Sequence, residues 1–235
     1  AVVLFVLIGA AFSVVVFLSG TLLEGGRSFA SQEKIGVVLV EGIIRDAREI
    51  VKQLTDYAKD DAIRAVVVRI DSPGGGVAPS DEIYGAIREL RKKKRVVASM
   101  GSLAASGGYL IACGANRIVA SPGTLTGSLS AVMHFANVEA LMKKIGVSAE
   151  VIKSGKFKDI GSPARAMTAE ERLVLQEVVD DIYDYLLEVV SRERKIDKES
   201  LRPLADGRLF TGRQALKLKL VDELGNLDQA LDLAG

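Results

Sequence analysis

The chain has 235 residues, with 31 Lys and Arg against 30 Asp and Glu, one His and one Cys. That length buries a full core and fits one ordinary domain with an appendage. Near-zero net charge gives no electrostatic footprint for nucleic acid. A single cysteine excludes an internal disulfide, and a single histidine leaves few histidine-based schemes open.

Residues 1–23 carry no charged side chain and are apolar almost throughout. Roughly 20 such residues, rising about 1.5 Å each, span a hydrocarbon core. A cleavable signal has a shorter apolar region, about 7–15 residues, so the preferred reading is an uncleaved N-terminal transmembrane helix, with a cleaved signal peptide as the alternative. These residues alone give no orientation by the positive-inside rule. Residues 24–33, with Gly25 and Gly26, read as a linker, and 34–235 as the folded domain.

Lys34 to Ile44 reads as a buried strand, and Asp46 to Lys59 carries helical spacing at Ile50, Val51, Leu54, Tyr57 and Ala58. Ile63 to Ile70 is a second strand running into a glycine loop. Ser80 to Lys94 is a helix with Ser80 as N-cap, ending in the cationic run Arg91 to Arg95. Cations suit a helix C-terminus, so a solvated helix end is the plain reading of that run, with a lipid-headgroup or partner contact as the alternative. Arg95 to Met100 is a third strand, Gly107 to Ala115 a short apolar helix holding Cys113 as a small core residue, and Arg117 to Ala120 a fourth strand. Leu129 to Met133 is a candidate strand, Asn137 to Ile145 a helix, and Val147 to Lys153 a strand. Thr168 to Glu193 is a long amphipathic helix opened by a Thr168–Glu171 capping box. Short helices at Thr211 to Leu218 and Leu227 to Leu233 close the chain. Alternating strands and helices imply an α/β core with covered sheet faces.

Three segments carry chemistry. Ser106 opens the helix Gly107 to Ala115 between small neighbours, where helix-terminal amides favour a developing oxyanion. Taken alone it is as readily a helix cap. Asp71-Ser-Pro-Gly-Gly-Gly76 follows a buried strand, and its glycines expose amides able to hold tetrahedral negative charge. It lacks the Gly-Lys-Ser/Thr of a phosphate loop and the spaced glycines of a dinucleotide site, though a plain structural turn stays open. A serine nucleophile needs a base. His134 sits among apolar neighbours, as packed histidines do. Lys153, Lys156 and Lys158 are the other candidates. Strand alternation puts Lys153 on one face with Val147, Ala149 and Val151, where burial favours the neutral amine.

Together with Gly101-Ser-Leu-Ala-Ala-Ser-Gly-Gly-Tyr109, Gly123-Thr-Leu-Thr-Gly-Ser128 and Lys153-Ser-Gly155, these segments resemble the signal peptide peptidase A family of Ser-Lys proteases, within the Clp/crotonase superfamily. The likeness runs in order over about residues 34–230 and includes Asp206 to Gly212 and Leu220 to Gly225. It implies an α/β fold with a Clp/crotonase-like repeated β-β-α core, Ser106 as nucleophile, Lys153 as general base, Ser128 as the residue orienting the lysine, and backbone N–H groups of Gly75 and Gly107 as the oxyanion hole. It implies no cofactor and no metal. It further implies a short single-domain form, a ring-like homo-oligomer whose neighbours complete the groove, anchorage in the cell membrane by a single pass with the catalytic part outside the cytoplasm, and apolar peptide substrates such as remnant signal peptides. Ser130 to His134 carries fewer glycines than the family pattern, which bears on the specificity pocket.

Two other functions fit parts of the pattern. One is a Clp-class Ser-Lys protease of another membrane protein. The other is a crotonase-like acyl-CoA enzyme, which would reuse the glycine loop but needs neither Ser106 nor an anchor.

Overall fold

The computed structural model describes residues 34–235. The expected anchor and linker, residues 1–33, lie outside the described residues. Among the described residues no helix is long and apolar enough to cross a membrane.

The elements run β1 Lys34–Ile44, α1 Arg48–Lys59, β2 Ile63–Gly75, α2 Val77–Leu90, β3 Arg95–Ala105, α3 Gly107–Cys113, β4 Arg117–Ala120, β5 Leu125–Gly127, α4 Glu139–Lys144, α5 Ala169–Arg194, α6 Lys198–Leu201, a 3₁₀ turn Arg202–Leu204, β6 Leu209–Thr211, α7 Gly212–Lys217, β7 Glu223–Leu224 and α8 Leu227–Ala234. The main sheet has the order β1-β2-β3-β4-β7. Strands β2, β3, β4 and β7 are mutually parallel. The end of β1 lies beside the end of β2, where Gly76 N–H donates to the Ile44 carbonyl (2.8 Å) and Ser72 Oγ to the Gly42 carbonyl (2.6 Å). All these strands therefore finish at one edge of the sheet, the edge at which open α/β sheets place their sites. From β1 to β4 single strands and single helices alternate, so a strict β-β-α repeat is not the pattern of this half.

Period-two alternation sends each central strand's side chains to two different cores. Val66, Val68, Ile70, Val96, Ala98, Met100, Ile118 and Ala120 face the larger core, with Ile83, Ile87, Leu187 and Val190 from α2 and α5. Ala65, Val67, Val97 and Val119 face the other side, where Ala230 and Ala234 of α8 cover them. Burial on both faces explains why β2 reads as a continuous apolar run. Each fully buried Val or Ile contributes about 1.5–3 kcal/mol.

Several boundaries differ from the sequence reading. The second strand runs on through the glycine loop to Gly75, and the third to Ala105. Helix α2 begins at Val77, three residues before the expected cap, and Ser80 lies inside it, donating to the Gly76 carbonyl (2.8 Å). The chain beyond Leu90 leaves the helix because Lys94 Nζ turns back to the carbonyls of Tyr57 and Asp60 (both 2.5 Å). Leu129 to Met133 and Val147 to Lys153 form no strand. The added strand is β5, paired to the far half of β3. The Thr168–Glu171 capping box is present, and Thr211–Gln214 and Asn226–Gln229 form two more.

Cys113 is buried in the main core, as its apolar neighbours implied. Burial pushes its thiol up to about 12. The thiolate is the reactive form, so a thiol reagent at neutral pH is expected to leave Cys113 unmodified in the native protein and to modify it once denaturant unfolds the domain. Absorbance or mass spectrometry reads the difference.

Candidate active site

Strand β3 changes partner along its length. Val97 to Met100 pair with β4, and Leu103 to Ala105 pair with β5. The changeover is held from the side by Asp71, whose carboxylate accepts from the backbone N–H of Ser102 (3.2 Å) and Leu103 (3.1 Å). A Cβ at Gly101 would stand 2.6 Å from Asp71 Oδ2, so only glycine fits there. Two buried hydroxyls fix the second pairing: Thr124 donates to the Gly101 carbonyl and Thr126 to the Ala104 carbonyl.

In that register Ala105 pairs with Gly127, so Ser106 and Ser128 leave adjacent strand ends together. Neighbouring strands lie about 4.8 Å apart. The Ser106 N–H donates to the Gly127 carbonyl and the Ser128 N–H to the Arg208 carbonyl, each at 2.8 Å. Both serines have positive φ, 53° and 50°. Such a conformation in a non-glycine residue is strained by about 1–3 kcal/mol and persists only where surroundings over-determine it. At Ser106 those surroundings are the β5 carbonyl on one side and α3 on the other, whose Leu110 N–H bonds to the Ser106 carbonyl at 3.0 Å.

The glycine loop closes over this corner. Gly74 has φ 96°, and a Cβ there would lie 2.7 Å from the Gly107 nitrogen and 2.9 Å from Ser106 Cβ. Ser72 Oγ accepts the Gly74 N–H (3.0 Å) while donating to Gly42, which ties the loop to β1. A Cβ at Gly107 would meet Ser80 Oγ at 2.3 Å. Gly107 is the first residue of α3, so its N–H has no acceptor within the helix. Ser72 is fully buried, and so is Ser80, which the sequence marked only as a helix cap; the contacts reveal that both set the loop height.

Ser106, Gly75, Gly76 and Gly107 open into a cavity of about 310 Å³ walled by Val77, Leu110, Val132, Met133, Ile182 and Leu186. Tyr185 at its rim hydrogen-bonds to Asp81. Burial first, and the Asp81 bond second, push that phenol up to about 12, which makes it a donor and not a base at neutral pH. A second cavity, about 430 Å³, adjoins the first and shares Met133 and Val179 with it. One face of α5 lines both: Arg172, Leu175, Gln176 and Val179, then Ile182 and Leu186. Their spacing is helical, and the stripe is about 21 Å long. Opposite it runs the extended segment 130–137.

The expected bases are placed elsewhere. His134 is exposed and lines the second cavity. Lys153 lies on an irregular exposed segment, where its Nζ donates to the Lys156 carbonyl (2.9 Å) and is ion-paired with Asp159. Lys156 pairs with Glu170. Neither lysine lines the serine cavity, and Lys158 is exposed. Alternation failed here because residues 147–153 have no strand partner among the described residues to impose it. Asp159 also binds Arg165, which in turn clasps Glu171 at the start of α5. Arg165, with Lys153 second, holds the Asp159 carboxyl well below its ordinary range.

The pattern of peptidase family S49 matches residues 88–235, and that of Clp protease matches 28–126. This chain belongs to peptidase family S49. Among S49-like relatives, the Synechocystis protein named "Putative protease slr0021" is 43% identical over 86% of this chain and 73% of its own length. An Enterococcus faecium protein named "Putative signal peptide peptidase SppA" is 35% identical over 90% of this chain and 64% of its own length. Protease 4 of Haemophilus influenzae is 34% identical over 86% of this chain, which spans only 34% of that longer protein. Among solved structures, a ClpP1 mutant from Listeria monocytogenes matches with TM-score 0.59 over 91% of this chain and 99% of its own, at 16% identity, which shows a shared fold. The S49 chain is thus a serine protease with a ClpP-like α/β fold.

Two outcomes test the site as built. Gly74→Ala is expected to lose at least about 100-fold in peptidase activity, because its Cβ would displace Gly107, while circular dichroism keeps its native shape; an active Gly74→Ala enzyme contradicts this loop geometry. Glu171 is held down at about 2, first by Arg165 and then by the Thr168 N–H. A carboxyl lowered on folding adds stability above its unfolded value, about 4.3, and that contribution fades as pH falls toward 2. Hydrogen-exchange protection over residues 153–171, corrected for the intrinsic rate at each pH, is therefore expected to fall between about pH 4 and pH 2, and Glu171→Gln to remove that step.

Proposed function

We propose that this S49 protease hydrolyses apolar peptides, remnant signal peptides among them, with Ser106 as nucleophile and Lys153 as general base. The observation that carries the reading is the strained Ser106, φ 53°, set between a glycine loop and the first amide of α3 at the mouth of an apolar cavity. The Ser106 hydroxyl attacks the scissile carbonyl, its proton passes to the neutral lysine amine, and the amides of Gly75 and Gly107 hold the oxyanion. The lysine then returns the proton to the leaving amine, and water repeats the cycle on the acyl-serine. Ser128, one strand away, receives the lysine by hydrogen bond.

Lys153 reaches this site through assembly. The Asp159 contact occupies the Lys153 Nζ, so the ion pair marks a resting arrangement. The surrounding segment exposes Leu141, Ile145, Val147, Val151 and Ile152, apolar side chains of the kind that mark a protein interface. A second copy of the chain covers it, breaks the Asp159 pair, and brings Lys153 to a serine out of water.

Substrate choice follows from the walls. Leu110, Val132, Met133 and Ile182 select apolar side chains next to the scissile bond. Among the described residues the backbone amides and carbonyls of 130–136 have no hydrogen-bond partner. An extended peptide pairs along such an edge as an added strand. A membrane anchor at residues 1–23 keeps the enzyme where such peptides are released.

The test is complementation. Ser106→Ala and Lys153→Ala proteins are each expected to lose at least about 1,000-fold in hydrolysis of an apolar peptide. Mixing the two after dissociation is expected to restore a measurable fraction. Full activity of Lys153→Ala, or loss confined to His134→Ala, contradicts the proposal.

A further inference from the structure

The strands that end at Ser106 begin at an opposite edge, and that edge is cationic. After α2 the chain turns through Arg91 to Arg95 into β3, and β4 starts at Arg117 beside it. Together with Asn116 these six cations line a surface cleft of about 390 Å³. Part of this charge is already committed. Arg91 binds Glu193 and the Gly114 carbonyl, Lys92 binds Glu89, and Lys94 binds two backbone carbonyls. Lys93 and Arg95 are exposed and form no ion pair among the described residues. Arg117 is half exposed and stands 3.9 Å from Asp222, which is already paired with Arg194. Asp60 and Asp61 precede β2 at this end, and one Asp60 oxygen is taken by the Ala62 N–H. The balance is positive, with an amide at its centre.

The same edge is where the folded domain begins. Ile35, at the start of β1, packs beside the cluster of Ala65 and Val97 at the starts of β2 and β3. In sequence, ten residues, 24–33, separate this entry from the uncharged stretch 1–23. Extended, ten residues reach at most about 35 Å. With residues 1–23 read as a membrane anchor, a tether of that length lets this edge reach the lipid surface.

We propose that the cleft formed by Lys93, Arg95, Asn116 and Arg117 binds the phosphate of anionic phospholipid headgroups and docks the domain on the membrane by its strand-start edge. This rests on the reading of residues 1–23 as a membrane anchor. Phosphate oxygens suit the free guanidinium and ammonium donors and the Asn116 amide. Cations at such a surface act additively, each strengthening attachment about fivefold. Docking this way has a consequence for the reaction. β3 runs from Arg95 to Ala105, ten steps of about 3.3 Å, so Ser106 stands about 33 Å above the headgroups. The protease then cuts peptides that have left the lipid, not segments still embedded in it.

The experiment uses the full chain reconstituted in vesicles. Lys92→Cys carries a fluorophore at the cleft, and Gly123→Cys carries one beyond the end of β4, where an added Cβ meets nothing within 4 Å. The native Cys113 is buried and takes no label. A quencher is attached to a minor headgroup. Quenching is expected at position 92 but not at 123 when phosphatidylglycerol is included. It should vanish when salt is raised from about 0.1 M to about 1 M, which shortens screening from about 10 Å to about 3 Å. Lys93→Gln with Arg95→Gln should weaken it by about 25-fold in headgroup affinity, with peptidase activity in detergent unchanged. Equal quenching at both positions, indifference to phosphatidylglycerol, or displacement by glycerol phosphate at matched ionic strength overturns the lipid site. Flotation with phosphatidylcholine vesicles separates the two readings. A chain that floats without phosphatidylglycerol-dependent quenching keeps its anchor and lacks the site. A chain that floats with neither lipid overturns both.

Discussion

One pairing governs this molecule: Ala105 of β3 against Gly127 of β5. It delivers the Gly127 carbonyl to the Ser106 N–H and so ends β3 with a residue at φ 53°. From that single bond follow the start of α3, the position of the Gly107 amide and the mouth of the apolar cavity. The glycines at 74, 101 and 107 are the steric conditions for it, since each lies where a Cβ would strike a neighbour closer than 3.0 Å. The buried hydroxyls of Ser72, Ser80, Thr124 and Thr126 are the polar conditions. An unsatisfied buried backbone group costs about as much as a hydrogen bond gains, so their loss would loosen the corner and not merely reshape it.

The segment around Lys153, the proposed base, is organised by a different force. Around Lys153 there is little packing, and order comes from charge: Lys153 and Arg165 on Asp159, Arg165 on Glu171, Lys156 on Glu170. The exposed Lys156–Glu170 pair is weak, about 0–1 kcal/mol, whereas the carboxylates of Asp159 and Glu171 are largely buried. A network of such pairs holds a segment in place until something better packed replaces it. The apolar residues displayed along 141–152 say what that replacement is made of.

Much of this was legible from residues alone. β1 and β4 fall on the expected boundaries because their apolar runs are bounded by charge. The helix α5 is announced by Thr168 and Glu171. Ser106 and the glycine loop are recognisable because sharp turns demand small residues. Other features were hidden for physical reasons. The extensions of β2 and β3 run through Gly, Ser and Ala, which carry no strand propensity, and are held by partners distant in sequence. β5 is three residues long and takes its identity from pairing with β3 and β6. Residues 147–153 alternate like a strand, but alternation yields a strand only where a neighbour supplies hydrogen bonds. The expected dyad partner therefore sits in a different setting from the one its sequence implied.

The central claim is that the strained hydroxyl at Ser106 is the acylated nucleophile. Its most direct test is to quench the enzyme during turnover of an apolar peptide ester and map the modified residue by peptide mass spectrometry. The account predicts a single acyl group on Ser106, absent from Ser106→Ala. An acyl group on any other residue, or turnover by Ser106→Ala at the native rate, would contradict it.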